Sequence, residues 1–280
     1  MLRGIISGIK RMEIHDGDGV RTTVFFKGCP LRCLWCHNPE SLSYEIETAK
    51  FKQKCINCGM CRGMISTESA AVCPTNALVT YGQEYDIDAL VSLLEKDRCF
   101  FENSGGGVTL SGGECLSQAD FAIALASALC DRGISVFVDT CGYVKQEVLE
   151  RIMPYTDVFL YDIKAVDAEV HKYCTGRDNT TILENLVFLS ESGCKIDIRY
   201  PLVVGYNDKE CEKIGELLRG MQGIREIKVL QYHNLSASRY ESLGIKCKLP
   251  KTVTTRKDVE RAVEILRRYG LNAINGVTDT

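Results

Sequence analysis

No stretch of the chain approaches the roughly 18 consecutive apolar residues of a membrane span. The opening MLRGIISGIKRMEIHDG also lacks an apolar run suited to a secretory signal. The sequence-based expectation is therefore a cytoplasmic protein with no membrane partner and with reduced thiols. No block of Lys or Arg stands out, and the net charge is −3. That leaves no basic footprint for nucleic acid. The 45% apolar and 25% charged fractions are ordinary for a globular chain, which excludes disorder, collagen and coiled coil as the main architecture. Its 280 residues make one large domain or two modest ones.

What the chain does have is 15 cysteines, an odd number that cannot pair fully into disulfides. In a reducing compartment, clustered cysteines read as metal ligands or catalytic groups. Seven lie between Cys29 and Cys73, and eight are scattered singly from Cys99 to Cys247. All but one of the scattered set sit in helical or strand patterns, as small buried residues do. The exception is Cys115, which follows a glycine turn.

From residue 108 onward, strand and helix patterns alternate. Residues 108–110, 134–138, 158–163, 195–204 and 227–230 read as strands. Residues 117–132, 145–153, 181–192, 208–221 and 256–269 read as helices, several closed by Gly. With 23–26 as a first strand, about six βα units fit. This predicts an α/β fold with a parallel sheet, a partial TIM-like (βα)6 barrel, with an open doubly wound sheet as the competing architecture. Residues 50–82 break the rhythm and read as a small inserted cluster-binding module, leaving 1–49 and 83–280 as the barrel.

The segment GCPLRCLWCHNPE sets Cys29, Cys33 and Cys36 in a C-x3-C-x2-C pattern after a strand. Three thiolates on one loop can hold three irons of a 4Fe-4S cube and leave the fourth open to a small molecule with N and O donors. A zinc loop completed by His37 is the plainer alternative.

The pattern resembles the radical S-adenosylmethionine (SAM) superfamily. The wider string HDGDGVRTTVFFKGCPLRCLWCHNPES is similar to that of the activating enzymes of glycyl-radical enzymes, the pyruvate formate-lyase activase type. The resemblance continues in order through SGGE, VDTCGY, LYDIK, IRYPLV and QYH, over nearly the whole chain. It implies an oxidoreductase in which a reduced cluster cleaves SAM to methionine and a 5′-deoxyadenosyl radical. That radical takes a hydrogen atom from a glycine of a large partner enzyme, with flavodoxin or ferredoxin as electron donor. No catalytic side chain is expected beyond the cluster and SAM.

The resemblance also assigns residues. Ser111, Gly112, Gly113 and Glu114 are implied to hold the SAM amino group, and the glycines allow close backbone approach. Lys164, Arg199 and His233 match SAM-contacting positions. Trp35 is grouped with them, although its own reading is an aromatic shield packed over the cluster loop. Asp139, Thr140, Asp162 and the carbonyl of Leu160 match a monovalent-cation site. His37 and Asn38 are expected to hydrogen-bond around the cluster. Asp18 stands where relatives usually have Pro, and Cys115 takes the place of a Pro after the Glu; neither is given a role.

CINCGMC supplies Cys55, Cys58 and Cys61, and Cys73-Pro74 follows. The spacing resembles a ferredoxin run, but the second run is missing. The economical reading is one auxiliary 4Fe-4S cluster on Cys55, Cys58, Cys61 and Cys73, with Cys99 in reserve and zinc as the alternative. The insert is expected to relay electrons or to dock the partner. An auxiliary cluster leans away from pyruvate formate-lyase and toward dehydratases, decarboxylases or C–N and C–S lyases. The competing functions are a radical SAM enzyme acting on a small molecule or another peptide, a ferredoxin-like electron carrier, and a zinc scaffold.

Overall fold

A computed structural model describes residues 2–276. Eleven strands and ten α-helices are numbered in chain order. The strands are β1 (Arg3–Glu13), β2 (Arg21–Phe26), β3 (Glu47–Lys50), β4 (Leu78–Tyr81), β5 (Gln83–Asp86), β6 (Gly107–Gly112), β7 (Ser135–Thr140), β8 (Val158–Asp162), β9 (Ile196–Leu202), β10 (Ile224–Gln231) and β11 (Ala273–Asn275). The helices are α1 (Thr67–Ala71), α2 (Ile87–Leu94), α3 (Arg98–Ser104), α4 (Ala119–Cys130), α5 (Gln146–Ile152), α6 (Ala168–Thr175), α7 (Thr180–Glu191), α8 (Cys211–Leu218), α9 (Ala237–Ser242) and α10 (Arg256–Arg268).

Nine strands form one sheet in the order β5-β1-β2-β6-β7-β8-β9-β10-β11. From β2 to β11 every pairing is parallel, whereas β1 runs antiparallel to both neighbours. Successive parallel strands are spatial neighbours with no reversal of order. That winding belongs to a barrel; a doubly wound sheet would change direction at a switch point. Among the described residues β5 and β11 do not pair, so the barrel is partial. The six strands expected from the pattern are the parallel strands β2 and β6–β10.

Side-chain alternation along these strands separates two environments. Val108, Leu110, Val136, Val138, Phe159, Ile198 and Tyr200 point outward into the main apolar core with the helices. Phe137, Val158 and Leu160 point the other way and form a small cluster inside the barrel. Helix α4 presents Phe121, Ala122, Leu125, Ala126 and Leu129 to the sheet. Helix α10 starts at a capping box on Thr255 and Asp258 and buries Val259, Ala262, Val263 and Leu266. Among the described residues no helix is long and apolar enough to cross a membrane.

The elements absent from the pattern reading have physical reasons. Strand β1 pairs with β5 only over Arg3–Ile6 and carries Lys10, Arg11 and Glu13 beyond it, and its pairing with β2 shifts register after Ile6 and again after Lys10, which erases the period-2 signal. Helix α6 buries only His171, Cys174 and Thr175 of AEVHKYCT and is fixed by its Asp167 cap, whose carboxylate accepts from Glu169 N and Val170 N. Residues 51–77 hang from an antiparallel ladder in which β3 pairs with β4, apart from the main sheet. Within them only α1 and one 3-10 turn are regular.

Candidate active site at the barrel mouth

Strand β2 ends at Phe26 and the chain turns through Lys27 and Gly28 into the first cysteine. Lys27 is fully buried; its Nζ donates to Glu47 Oε2 (2.6 Å) and to the carbonyl of Glu40 (2.9 Å). The loop beyond is tied to its surroundings by main-chain bonds. Arg32 N donates to Thr175 O (2.8 Å) and Leu34 N to Cys174 O (2.9 Å), so the C-terminal end of α6 holds it on one side. Tyr240 of α9 donates its hydroxyl to Cys36 O (3.1 Å) on the other.

Cys29 and Cys33 pack with Leu31, Leu42, Cys141 and Tyr143. Burial pushes the free thiols of Cys29 and Cys33 up to about 12 and that of Cys36 up to about 11. Three thiols that resist ionisation side by side in a dry loop are poor nucleophiles, but they suit a cationic metal centre, which deprotonates coordinating thiols outright. Among the described residues no three His, Cys, Asp or Glu side chains converge on a single metal ion. His37 is also engaged elsewhere: Nε2 donates to His233 O (2.9 Å) and its ring stacks on that of His233 at 4.1 Å. A ligating His commonly donates its second ring N–H to a carbonyl, so this bond does not separate a zinc loop from a multi-iron cluster, which needs each thiolate on a different iron.

The SGGE segment closes β6 against the start of the cysteine loop. Gly113 N donates to Phe26 O (2.9 Å) and Glu114 N to Gly28 O (2.8 Å). At Gly112 φ is +118°, and a Cβ would stand 2.2 Å from Phe26 N. The Cβ positions of Gly112 and Gly113 are thus occupied by the backbone of Phe25, Phe26, Gly28 and Ser41, which is why no side chain fits at either. Glu114 needs a correction. Its carboxylate turns inward and is 1% exposed. It accepts from Thr140 Oγ1 (2.9 and 3.0 Å), Cys141 N (2.8 Å) and Leu116 N (3.0 Å). Burial raises its pKa against those hydrogen bonds. With its lone pairs already engaged, the carboxylate is a strut under the cysteine loop.

Inside the mouth, consecutive strand ends bring charges together. Asp139 Oδ2 accepts from Ser111 Oγ (2.6 Å) and from Arg199 Nη1 (3.1 Å), and Arg199 also lies 3.5 Å from Asp16. Lys164 Nζ donates to Asp162 Oδ2 (2.6 Å). Burial, reinforced by Asp162, lifts Asp139 to about 6 although Arg199 opposes it. Asp139 raises Arg199, so that guanidinium stays charged. Burial works against the Lys164 ammonium, but Asp162 and Cys33 outweigh it. Ser111, Asp139, Asp162, Lys164 and Arg199 are therefore gathered as expected. Thr140 is not, because alternation turns its hydroxyl to the opposite face of β7, onto Glu114. Asp139 and Asp16 share Arg199 and Asp162 pairs with Lys164, so three carboxylates face two protein cations at this mouth. Leu160 is buried inside the barrel.

Trp35 is buried with Cys174, Val203 and Tyr232. Asn38 Oδ1 accepts from Arg239 (3.3 Å). His233 is parked against His37, on the cysteine-loop side of the mouth.

Sequence reasoning missed the DGDG loop. Asp16 enters the barrel: its carboxylate accepts from Thr23 Oγ1 (2.9 Å), its carbonyl from Thr109 Oγ1 (2.7 Å), and it meets Arg199. Asp18 pairs with Arg225 (2.9 Å), and Arg21 lies over the Phe137 ring at 3.8 Å. Together these groups plug the barrel beneath the mouth. The one clue in the sequence was the acid in place of Pro at 18.

In the insert, Cys58 is exposed and Cys55, Cys61 and Cys73 are half-buried. Cys73 is held below the ordinary thiol range by main-chain N–H groups, first that of Leu78 and then those of Thr75 and Ala77. Thr75 Oγ1 lies 3.9 Å from its Sγ. Cys99 is exposed on α3, which feeds the N-terminal end of β6, with α2 between it and the insert. Cys115 is buried, its Sγ 3.5 Å from Asp139 O.

Comparison with known proteins gives a consistent answer. Residues 23–218 match the Radical SAM superfamily. The chain is 38% identical to the trans-4-hydroxy-L-proline dehydratase activating enzyme of Clostridioides difficile, over 97% of each chain. It is 37% identical to the choline trimethylamine-lyase activating enzyme of Oleidesulfovibrio alaskensis, over 95% of this chain and 96% of that one. Among solved structures, a domain of a pyruvate-formate lyase-activating enzyme from Bacteroides vulgatus aligns with a TM-score of 0.53 at 28% identity, covering 62% of this chain and 100% of that one. A Streptococcus suis enzyme solved with S-adenosylmethionine bound shares the fold, with a TM-score of 0.59 at 14% identity over 88% of this chain and 48% of that one.

Proposed function

The chain belongs to the radical SAM superfamily, and within it to the activating enzymes of glycyl-radical enzymes. From that premise we propose how its own residues serve the reaction. Cys29, Cys33 and Cys36 would hold a 4Fe-4S cluster whose remaining iron takes SAM at the barrel mouth. Bound there, the two groups supply a one-electron cleavage of SAM and removal of a hydrogen atom from a glycine of the partner enzyme.

The single observation that carries the reading is the convergence of this dry cysteine loop with Asp16, Ser111, Asp139, Asp162, Lys164 and Arg199 on adjacent strand ends. Lys164 and Arg199 offer cations to a carboxylate. Ser111 and the Gly112–Gly113 main chain offer acceptors to an ammonium. Glu114 holds the floor of the site rigid, and Trp35 keeps water from the loop. The Asp16–Arg199–Asp139 chain fixes the guanidinium, so orientation is set before the ligand arrives.

For the insert we propose an auxiliary 4Fe-4S cluster on Cys55, Cys58, Cys61 and Cys73, supported by the C-x2-C-x2-C spacing and by the gathering of all four on one loop module between β3 and β4. The partner class we favour is a dehydratase, a decarboxylase or a C–N or C–S lyase; relatives are named for dehydratases and such lyases, and one for pyruvate formate-lyase 2. The electron donor would be flavodoxin or ferredoxin, and the setting a reducing cytoplasm that keeps the ligand thiols reduced.

The experiment is anaerobic. Protein reconstituted with iron and sulfide is mixed with reductant, SAM and candidate glycyl-radical enzymes, and the glycyl radical is sought by electron paramagnetic resonance. A doublet with one candidate and not the others supports the proposal and names the partner. No 5′-deoxyadenosine under any combination would reject it.

A further inference from the structure

The surface is uneven in one place. Ile56, Met60, Met64, Ile65 and Val72 are each 48–64% exposed, all within the insert around the exposed Cys58. Scattered exposed apolar residues are normal, but a concentration on one small module marks an interaction surface. The same segment has a charge bias. Between residues 49 and 67 stand Lys50, Lys52, Lys54 and Arg62 and no acidic residue, in a chain whose net charge is −3. Lys52, Lys54 and Arg62 are exposed.

The module is also wired to the site. Strand β3 leaves it through Glu47, which pairs with buried Lys27 at 2.6 Å, two residues before Cys29. Strand β3 and this one ion pair, followed by residues 27–29, therefore join the insert to the first ligand of the candidate cluster.

We propose that this face docks an acidic one-electron carrier protein. The inference deepens the proposed function and rests on it, since only a reductive reaction needs such a partner. Basic side chains steer an acidic partner and set its orientation. Exposed methionines give an adaptable apolar contact. The patch is small, as suits weak, short-lived redox encounters and not a lasting complex with a large enzyme. The step balances simply. The carrier loses one electron, the metal centre of this chain gains it, and no bond or proton is exchanged.

The test uses the full reconstituted chain and two probes: an acidic flavodoxin and, in a second arm, an acidic two-cluster ferredoxin. Binding is measured by calorimetry at low and high salt. Three proteins are compared: wild type, Lys52→Glu/Lys54→Glu/Arg62→Glu, and Met60→Ser/Met64→Ser. The expected result is wild-type binding that weakens severalfold with salt, at least tenfold weaker binding by the charge variant, and roughly threefold to tenfold weaker binding by the methionine variant. Electron transfer from the photoreduced carrier should slow in parallel, while dithionite-driven 5′-deoxyadenosine formation stays at the wild-type rate. Equal affinity of all three proteins for both carriers would overturn the docking site. So would a charge variant that binds both carriers normally but loses dithionite-driven glycyl-radical formation, because the face would then serve the partner enzyme. Absence of dithionite-driven cleavage in the wild type would instead reject the underlying function.

Discussion

Glu114→Gln separates two roles for one residue. If the carboxylate received the SAM ammonium, the substitution would weaken SAM binding and leave the fold alone. Its inward orientation requires the reverse. Two main-chain donors, Cys141 N and Leu116 N, and the Thr140 hydroxyl converge on its two oxygens. An amide keeps one acceptor oxygen and turns an NH2 toward the other donors. At least one buried N–H then loses its acceptor, and an unsatisfied buried group costs about 1–3 kcal/mol. Loss of the charge-assisted character of the remaining bonds adds to this, for an expected total of about 2–3 kcal/mol. Because burial raises the pKa of Glu114, neutralising it returns part of the desolvation penalty, which keeps the figure at the lower end. For a chain of this size that is a fall in melting temperature of about 5 °C. The assay is urea and thermal unfolding of anaerobic protein, with SAM affinity measured alongside. A drop in stability with SAM affinity changed less than threefold is expected. Unchanged stability with SAM affinity reduced tenfold or more would refute the strut.

Other consequences are as concrete. Asp139, lifted by burial to about 6 from an ordinary 3.8, keeps its proton in the folded state where the unfolded chain has lost it. Stability should therefore fall on the order of 2 kcal/mol as pH rises from about 4 to 6 and be flat above. Asp139→Asn should remove part of that slope. Asp197, also pushed to about 6 by burial, contributes in the same window. Gly112→Ala sets a Cβ 2.2 Å from Phe26 N at a positive φ and should cost about 3 kcal/mol or more, with loss of iron on reconstitution. Cys33→Ala should abolish SAM cleavage. Cys58→Ala should lower iron content while some cleavage persists, and equal iron in that variant would reject the auxiliary cluster.

Much of the fold was legible because buried parallel strands such as VFLYD and SVFVDT between Gly-closed helices announce themselves. Strand β1 was not, since its bulges and edge charges scramble alternation. The site was legible as a set of residues, because the cysteine spacing and the strand-end acids are local features. The direction in which side chains point was not. Glu114 and Thr140 look like site residues until the strand parity of β7 and the turn after Gly113 place them behind the wall. Asp16 looked like part of a loop, yet its carboxylate reaches into the barrel to Arg199. Such inward reach depends on a chain crossing between distant strands, which no window of sequence records.

The most direct measurement follows the hydrogen. A partner enzyme labelled with deuterated glycine is incubated with reconstituted protein, reductant and SAM, and the 5′-deoxyadenosine is analysed by mass spectrometry. The expected product carries one deuterium and appears together with a glycyl-radical signal on the partner. Unlabelled 5′-deoxyadenosine alongside a formed glycyl radical would contradict direct abstraction from that glycine.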